Sequence, residues 1–223
     1  MDKRHFQNIA LSFAVTTSLL CIPTPVAADE YMDQRISLFE VLDVTPDDIV
    51  FLGDSLTDGG EFGELFGMSN IKNRGIRSDE ITGVEKRLQP ILKGRPKKIF
   101  LLIGINDISH GISVDKLAQR YEKLVKKIIL QSPGTKLYIQ SIFPVNNGFN
   151  RYKSLIGKER NIKSLNERIK AISQSYGAEW IDLWPYLADD KGNLKDTFTN
   201  DGLHLNGLGY KAWAEGIESY VKE

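Results

Sequence analysis

A serine, a histidine and an aspartate in this chain carry the functional groups that a hydrolytic site needs. Ser55 stands in the segment Gly-Asp-Ser-Leu-Thr, directly after the apolar residues 49–52. A serine hydroxyl is a poor nucleophile near neutral pH unless a base accepts its proton. His204 can supply that base, and Asp201, three residues earlier, can bind the second ring nitrogen. Each segment alone is equally typical of a turn that begins a helix, so the fold must bring them together.

Two further segments could stabilise a negatively charged oxygen beside the serine. Asn106 follows the apolar residues 99–103 in the segment Gly-Ile-Asn-Asp, and its side-chain amide is a hydrogen-bond donor. Gly75 follows a short stretch of β type, and a glycine there lets a backbone N–H approach a ligand closely. Both residue types are also common in turns after strands, so these positions support a site only in combination with the others.

Apolar patterns along the chain predict strands that alternate with helices. Short apolar runs predict strands at residues 49–52, 71–73, 99–103, 137–142 and 180–183. Apolar residues at every third or fourth position predict helices at residues 34–43, 78–92, 113–129, 159–176 and 206–221. Ser78 is expected to cap the second of these helices. The alternation is typical of an α/β fold, a three-layer α/β/α sandwich with a central, mostly parallel five-stranded sheet of flavodoxin-like type.

This fold predicts where the candidate residues meet. The carboxyl ends of parallel strands lie at one edge of the sheet, and such folds bind ligands there. Ser55, Gly75 and Asn106 follow the first, second and third predicted strands, and the Asp201–His204 segment precedes the last predicted helix. Together the four segments are much more specific for a hydrolytic site than any one of them.

The four segments and their order resemble the SGNH hydrolases, also called GDSL esterases and lipases. That family is marked by the Ser of a Gly-Asp-Ser block, a Gly, the Asn of a Gly-x-Asn-Asp block and the His of an Asp-x-x-His block. This chain carries all four in family order, from about residue 49 to its C-terminus. Within the family it looks similar to compact acetylhydrolases of the platelet-activating-factor type and to carbohydrate O-acetylesterases. The resemblance implies Ser55 as nucleophile, His204 as base and Asp201 as the acid that orients it.

The resemblance also implies roles for the surrounding residues. The backbone N–H groups of Ser55 and Gly75 and the side-chain amide of Asn106 match the donors of an oxyanion hole. Asp54 and Asp107 match positions that support the catalytic residues. The sequence shows no requirement for a metal or another cofactor.

The first 28 residues are predicted to be a secretory signal peptide. Lys3 and Arg4 precede the apolar residues 9–22, and Val26-Ala27-Ala28 fits a cleavage site after Ala28. The apolar stretch is shorter than the roughly 20 residues that span a bilayer, although an uncleaved anchor is the alternative. We therefore expect an exported protein, periplasmic or secreted, with one domain at residues 29–223 and no stable membrane insertion after cleavage.

Overall composition narrows the class of partner. The chain has 29 basic and 29 acidic residues, and 41% of its residues are hydrophobic, as in ordinary globular domains. A balanced charge offers no basic surface to neutralise phosphates, so we expect no nucleic-acid partner. The expected partner is a small-molecule or carbohydrate ester, while the oligomeric state stays open.

Two alternatives of other classes use the same residues differently. Asp54, Asp58, Asp107 and Asp201 could bind Mg²⁺ for phosphoryl transfer, but that site would leave His204 without a role. A carbohydrate-binding protein could use the same fold without catalysis. Binding alone, however, has no use for an Asp-His pair directed at a serine.

The loops after the last two predicted strands indicate the kind of substrate. Residues 144–158 and 184–198 mix aromatic side chains with amides and charges, which suits stacking and hydrogen bonding to a sugar. We therefore expect removal of a short acyl group, acetyl above all, from a carbohydrate or another small polar ester. The alternative with the same chemistry is a lysophospholipase or thioesterase, which would need a large apolar groove for a long acyl chain.

Overall fold

The structure, a computed structural model, describes residues 26–223 of the 223-residue chain, with side chains from residue 30 onward. The predicted signal peptide lies almost entirely outside these residues. The first helix begins at Val26, two residues before the predicted cleavage site, and cleavage after Ala28 stays a prediction. Within the described part, no helix is both long enough and apolar enough to cross a membrane.

Strands and helices alternate along the chain. The strands are β1 (Ile49–Gly53), β2 (Ile71–Gly75), β3 (Lys98–Leu102), β4 (Lys136–Gln140) and β5 (Glu179–Ile181). The α-helices are α1 (Val26–Val41), α2 (Ser55–Asp58), α3 (Phe62–Phe66), α4 (Ile81–Lys86), α5 (Gln89–Gly94), α6 (Ile105–Ser109), α7 (Val114–Gln131), α8 (Glu159–Ser175), α9 (Trp184–Leu187) and α10 (Gly207–Lys222). Short 3₁₀ turns occupy Asn147–Phe149, Lys153–Leu155 and Asp196–Phe198.

The five strands form one sheet in the order β2-β1-β3-β4-β5, and every neighbouring pair is parallel. Gly53 at the end of β1 lies opposite Gly75 of β2 and Leu102 of β3. From β1 the chain continues to β2 on one side, and then crosses to β3 on the other side of β1. The strand order thus reverses between β1 and β3, and open α/β sheets bind ligands at such a switch point. The predicted α/β fold with a parallel five-stranded sheet is confirmed.

Apolar side chains cover both faces of the sheet. Along β1, Val50 and Leu52 pack against helices α4, α5, α7 and α8, whereas Ile49 and Phe51 face α3 and α10. This alternation follows from the two-residue period of a strand, and burial on both faces explains the continuous apolar runs of the sequence. The sheet is thus the middle of three layers.

The predicted helix at residues 78–92 is in fact two helices, and the prediction that Ser78 caps it is wrong. Helix α4 begins at Ile81 and ends at Lys86, and α5 begins at Gln89. Pro90 explains the break, because proline lacks an N–H and its ring would clash with the carbonyl of residue 86 in a continuous helix. Ser78 adopts a left-handed conformation, with a φ of 62°, instead of the extended conformation of a cap.

Candidate active site

Helix α2 places Ser55 at the carboxyl end of β1. The helix begins at Ser55 itself, and Asp54 caps it by accepting a hydrogen bond from the Leu56 N–H at 3.0 Å. Asp54 is only 1% exposed. Burial raises the pKa of its carboxyl to about 7, and the carboxylates of Asp79 and Asp107 contribute to the rise. Asp54 therefore shapes the turn under the serine and is shielded from solvent.

The segment that precedes α10 fixes Asp201 and His204 in one tight loop. One carboxylate oxygen of Asp201, Oδ1, accepts the backbone N–H groups of Leu203 and His204 at 2.9 and 2.8 Å. The Thr199 hydroxyl donates to the carbonyl of His204 at 2.7 Å. These short local bonds leave the second carboxylate oxygen, Oδ2, directed at the imidazole ring.

Ser55, His204 and Asp201 form a continuous hydrogen-bonded chain. The Ser55 Oγ lies 2.9 Å from His204 Nε2, and His204 Nδ1 lies 2.8 Å from Asp201 Oδ2. Burial raises the pKa of Asp201, but hydrogen bonds from the His204 ring and from the Leu203 and His204 amides outweigh it and lower that pKa to about 2. Asp201 is therefore ionised throughout the neutral range and can stabilise a protonated His204.

Tyr152 is a site residue that the sequence did not reveal. It lies in the loop between β4 and α8, and its hydroxyl donates to Asp201 Oδ2 at 3.1 Å. The same hydroxyl lies 3.0 Å from His204 Nδ1. In the sequence Tyr152 was one aromatic residue among several in a polar loop, and no spacing rule connects it with residues about fifty positions later.

Helix α6 carries Asn106 to the same edge of the sheet. Gly104, just before the helix, has a φ of 126°, which only glycine adopts readily. The side-chain amide of Asn106 donates one hydrogen to the carbonyl of Asp79 at 2.9 Å. The second hydrogen of that NH₂ group remains for another acceptor.

Gly75 is placed differently from the prediction. Its N–H donates to the side-chain oxygen of Asn73 at 2.8 Å, so it is not available to an oxyanion. A methyl group at Gly75 would lie 2.1 Å from the Asp58 N atom, so the glycine is needed for close contact with α2. The predicted role of Gly75 as an oxyanion donor is therefore corrected to one of packing.

Ser78 has a backbone N–H that remains available to a ligand, whereas the N–H of Gly75 is already bound to Asn73. Its left-handed conformation turns the chain after β2, and its N–H has no acceptor among the residues the structure describes. The next residue, Asp79, accepts the Asn106 amide through its carbonyl, so Ser78 and Asn106 belong to one corner of the site. The sequence did not indicate this position of Ser78, because a serine before Asp-Glu is more typical of a helix cap.

Buried acids beneath this corner hold it together. Asp107 accepts the N–H of Ile81 at 3.1 Å and lies 3.3 Å from Arg120, and burial raises its pKa to about 6. Asp79 lies 2.7 Å from Arg87, and burial raises its pKa while the guanidinium opposes that rise. A buried pair of this kind fixes geometry, because removal of one partner leaves an uncompensated charge.

Asp58, the fourth acid of the magnesium alternative, has other partners. Its carboxylate accepts the Tyr31 hydroxyl at 2.8 Å and Arg77 Nε at 3.0 Å, and Arg35 lies 3.8 Å away. Among residues 26–223, no three His, Cys, Asp or Glu side chains are grouped so that they could bind a metal ion.

Comparison with known proteins assigns the family. The sequence profile described as the GDSL-like Lipase/Acylhydrolase family matches residues 51–212. This span is more than half of the chain and includes Ser55, Asn106, Asp201 and His204. The chain belongs to this family. The sequence-based assignment to the GDSL esterases and lipases is confirmed.

Solved structures share the fold of this acylhydrolase. A Streptococcus pneumoniae protein named for platelet activating factor is 28% identical, with a TM-score of 0.81 over 88% of this chain and 95% of that one. A Bacteroides fragilis protein described as an acylhydrolase is 20% identical, with a TM-score of 0.72 over 87% and 95% of the two chains. A Geobacillus acetyl-xylooligosaccharide esterase is 16% identical, with a TM-score of 0.64 over 81% and 96%.

One curated relative is similar over a long stretch. An N-acylneuraminate cytidylyltransferase from Escherichia coli is 29% identical over 181 residues, which is 78% of this chain. The acylhydrolase chain spans only 40% of the length of that relative.

Proposed function

We propose that this acylhydrolase is a serine esterase that removes short acyl groups, acetyl above all, from a carbohydrate or a similar polar alcohol. The observation that carries the proposal is the hydrogen-bonded chain from Ser55 through His204 to Asp201. The Ser55 Oγ lies 2.9 Å from His204 Nε2, and His204 Nδ1 lies 2.8 Å from Asp201 Oδ2. In this arrangement the ring nitrogen that faces the serine can accept its proton, and the carboxylate stabilises the charge that results.

Catalysis then proceeds in two steps. Ser55 Oγ attacks the ester carbonyl while His204 Nε2 takes the hydroxyl proton, and a tetrahedral intermediate forms. His204 returns the proton to the departing alcohol, which leaves an acyl-serine. A water molecule gives its proton to His204 and attacks the acyl-serine, which releases the acid and restores the Ser55 hydroxyl. Asp201 remains ionised throughout, in keeping with its lowered pKa.

Three donors would bind the oxyanion. The Ser55 N–H is at the first position of α2, where backbone N–H groups have no partner within the helix. The Asn106 amide supplies its second hydrogen, and the Ser78 N–H supplies the third donor in place of Gly75. Donors already fixed in place stabilise developing charge without reorganisation during the reaction.

The surroundings of the triad favour a small acyl group on a polar alcohol. The side chain of His204 is 37% exposed, so the hydrogen-bonded chain opens to solvent and does not end in an enclosed apolar tunnel. The loop that carries Phe149 and Tyr152 lies against it, because the Asn146 N–H donates to the carbonyl of Gly202 at 2.7 Å. Aromatic rings beside amides and charges suit a sugar.

The compared proteins support a carbohydrate substrate. One structural neighbour is named as an acetyl-xylooligosaccharide esterase, and the curated relative is named for an acylated sugar acid. The first name concerns acyl esters on a sugar, whereas the acyl group in the second is an amide, so only the first bears on ester cleavage. We therefore place an O-acetylated sugar above a long-chain lipid or a thioester as the substrate of this site.

Hydrolysis of p-nitrophenyl acetate, butyrate, octanoate and palmitate, followed by a panel of acetylated sugars, tests the proposal. We expect activity on acetate that declines with chain length and is lost in Ser55→Ala. Ser175→Ala removes an exposed hydroxyl on α8 and is the matched control. A preference for octanoate or palmitate would overturn the short-chain specificity, and activity that survives in Ser55→Ala would overturn the mechanism.

A further inference from the structure

We propose that Tyr152 is a positioning residue that acts on His204 through Asp201. Its hydrogen bond to the Asp201 carboxylate weakens the interaction of that carboxylate with the protonated His204 ring. The proposal rests on the proposed serine-esterase function. It gives the loop between β4 and α8 a part in catalysis, in addition to any contact with substrate.

The geometry places two donors on one oxygen. Asp201 Oδ2 receives His204 Nδ1 at 2.8 Å and the Tyr152 hydroxyl at 3.1 Å. The Tyr152 ring also packs edge-on against the imidazole, with centroids 5.6 Å apart and planes at 68°. The other carboxylate oxygen is already occupied by two backbone N–H groups, so the tyrosine competes directly with the histidine for Oδ2.

The loop holds the hydroxyl in place before any substrate arrives. The N–H of Asn146, at its start, donates to the carbonyl of Gly202 at 2.7 Å. The hydroxyl of Ser154 lies 2.6 Å from that of Ser109 on α6, the helix that carries Asn106. The Tyr152 hydroxyl therefore does not have to be ordered at the moment of reaction. The loop that carries it contacts both the Asp201–His204 segment and the helix of Asn106.

A second hydrogen bond on Oδ2 reduces the negative charge available to the imidazolium. The groups that face the ring are the Ser55 hydroxyl from α2, the Asp201 carboxylate, and the Tyr152 hydroxyl with the neighbouring Arg151 from the loop. Burial raises the pKa of Tyr152, and Asp201 adds to the rise, so the phenol stays protonated and keeps donating. With Tyr152 present, the Asp201 carboxylate therefore stabilises the protonated His204 ring less than it would without the tyrosine.

Tyr152→Phe removes the hydroxyl and keeps the ring. We expect the acid limb of the kcat/KM–pH profile for p-nitrophenyl acetate to move to higher pH. Activity below the limb should fall about fivefold, the equivalent of about 1 kcal/mol for one hydrogen bond, and should converge with the parent on the alkaline plateau. A merely structural role would lower activity by the same factor at every pH. An unmoved limb or such a uniform loss would overturn the proposal.

Tyr176→Phe is the matched control, because the hydroxyl of Tyr176 also donates to a carboxylate, that of Glu122 at 3.1 Å. Tyr176 lies between the end of α8 and the start of β5, at the opposite end of the sheet from the site. Its profile should coincide with that of the parent.

A second measurement does not depend on activity. Proton NMR of the Ser55→Ala variant detects the hydrogen on His204 Nδ1. Its signal is assigned by its loss when His204→Ala is added. We expect its signal to move downfield in Tyr152→Phe, because the remaining bond to Asp201 becomes stronger. An unchanged signal would overturn the proposal, whatever the esterase assay shows. A shifted signal, together with a parent protein that has no esterase activity, would count against the proposed function alone.

Discussion

Asn106 shows how much a single side chain contributes to the site. Its amide reaches the carbonyl of Asp79 at 2.9 Å with one hydrogen and leaves the other for an oxyanion. That second hydrogen matters only when negative charge develops on the substrate oxygen. Its removal should therefore slow the chemical step more than it weakens substrate binding.

Asn106→Ala is expected to lower kcat by about 10²- to 10³-fold with a much smaller change in KM, as is usual for the loss of one oxyanion donor. Steady-state kinetics on p-nitrophenyl acetate checks this. Asn70→Ala is the control, because Asn70 also donates to a backbone carbonyl, that of Asp47, but at the opposite end of the sheet. Near-parental kcat in Asn106→Ala would exclude its assigned role.

Asp54 makes a prediction about the pH dependence of stability. Its pKa is about 7 in the folded protein, whereas an aspartate in the unfolded chain titrates near 4. Between these values the unfolded chain has lost the proton that the folded protein retains. The free energy of unfolding therefore falls as the pH rises from about 4 to 7.

Asp54→Asn should lose that part of the pH dependence. The difference in unfolding free energy between pH 5 and pH 8, measured by urea denaturation, should be smaller in the variant than in the parent. Asp182→Asn is the matched control, because Asp182 is an exposed aspartate that accepts the N–H two residues later, as Asp54 does. Equal pH dependence in Asp54→Asn and the parent would contradict the burial argument.

At the scale of elements, β2 serves as a clamp on α2, the helix that carries Ser55. Asn73 donates to the carbonyls of Thr57 and Gly60 at 2.7 and 2.8 Å and receives the N–H of Gly75. Strand β2 thereby holds the end of α2, whose other end carries Ser55. The position of Ser55 depends on this contact between two elements.

Gly75→Ala should disturb the clamp, because the new methyl group would lie 2.1 Å from the Asp58 N atom and 2.6 Å from the Thr57 carbonyl carbon. We expect a loss of kcat/KM of at least about tenfold together with a lower melting temperature, since small misplacements of a nucleophile are costly. Gly207→Ala is the control, because no atom lies within 4 Å of the added methyl. Parental activity and stability in Gly75→Ala would disprove the clamp.

At the scale of the whole molecule, α10 connects the catalytic loop to the core. Trp213 is fully buried and donates through its ring N–H to Gln140 at 2.6 Å. Its ring packs edge-on against Phe62 and Phe143 at 4.9 and 4.8 Å. The helix follows directly after the Asp201–His204 loop, so this packing also keeps His204 near Ser55.

Trp213→Ala should reduce the free energy of unfolding by about 3–5 kcal/mol, the usual range for a large buried aromatic residue. Chemical denaturation monitored by circular dichroism checks this. Leu208→Ala changes an exposed side chain on the same helix and should stay within about 0.5 kcal/mol of the parent. A loss below 1 kcal/mol in Trp213→Ala would show that the core tolerates the cavity.

The strands, and the edge of the sheet where the site lies, could be derived from the sequence. Continuous apolar runs are required wherever a strand is covered on both faces, and residues 49–52 and 99–103 met that requirement in β1 and β3. Ser55, Asn106 and His204 could be selected because each lies in a short segment beside such an element. Local patterns are sufficient here because strands, helices and turns depend on neighbours close in the chain.

The tertiary structure alone decided which groups touch. Whether the Gly75 N–H is available depends on the Asn73 side chain, and the left-handed Ser78 arises where β2 turns towards α4. Tyr152 reaches Asp201 and His204 from about fifty residues away. These contacts depend on how separate elements pack, and no short-range spacing in the chain encodes that packing.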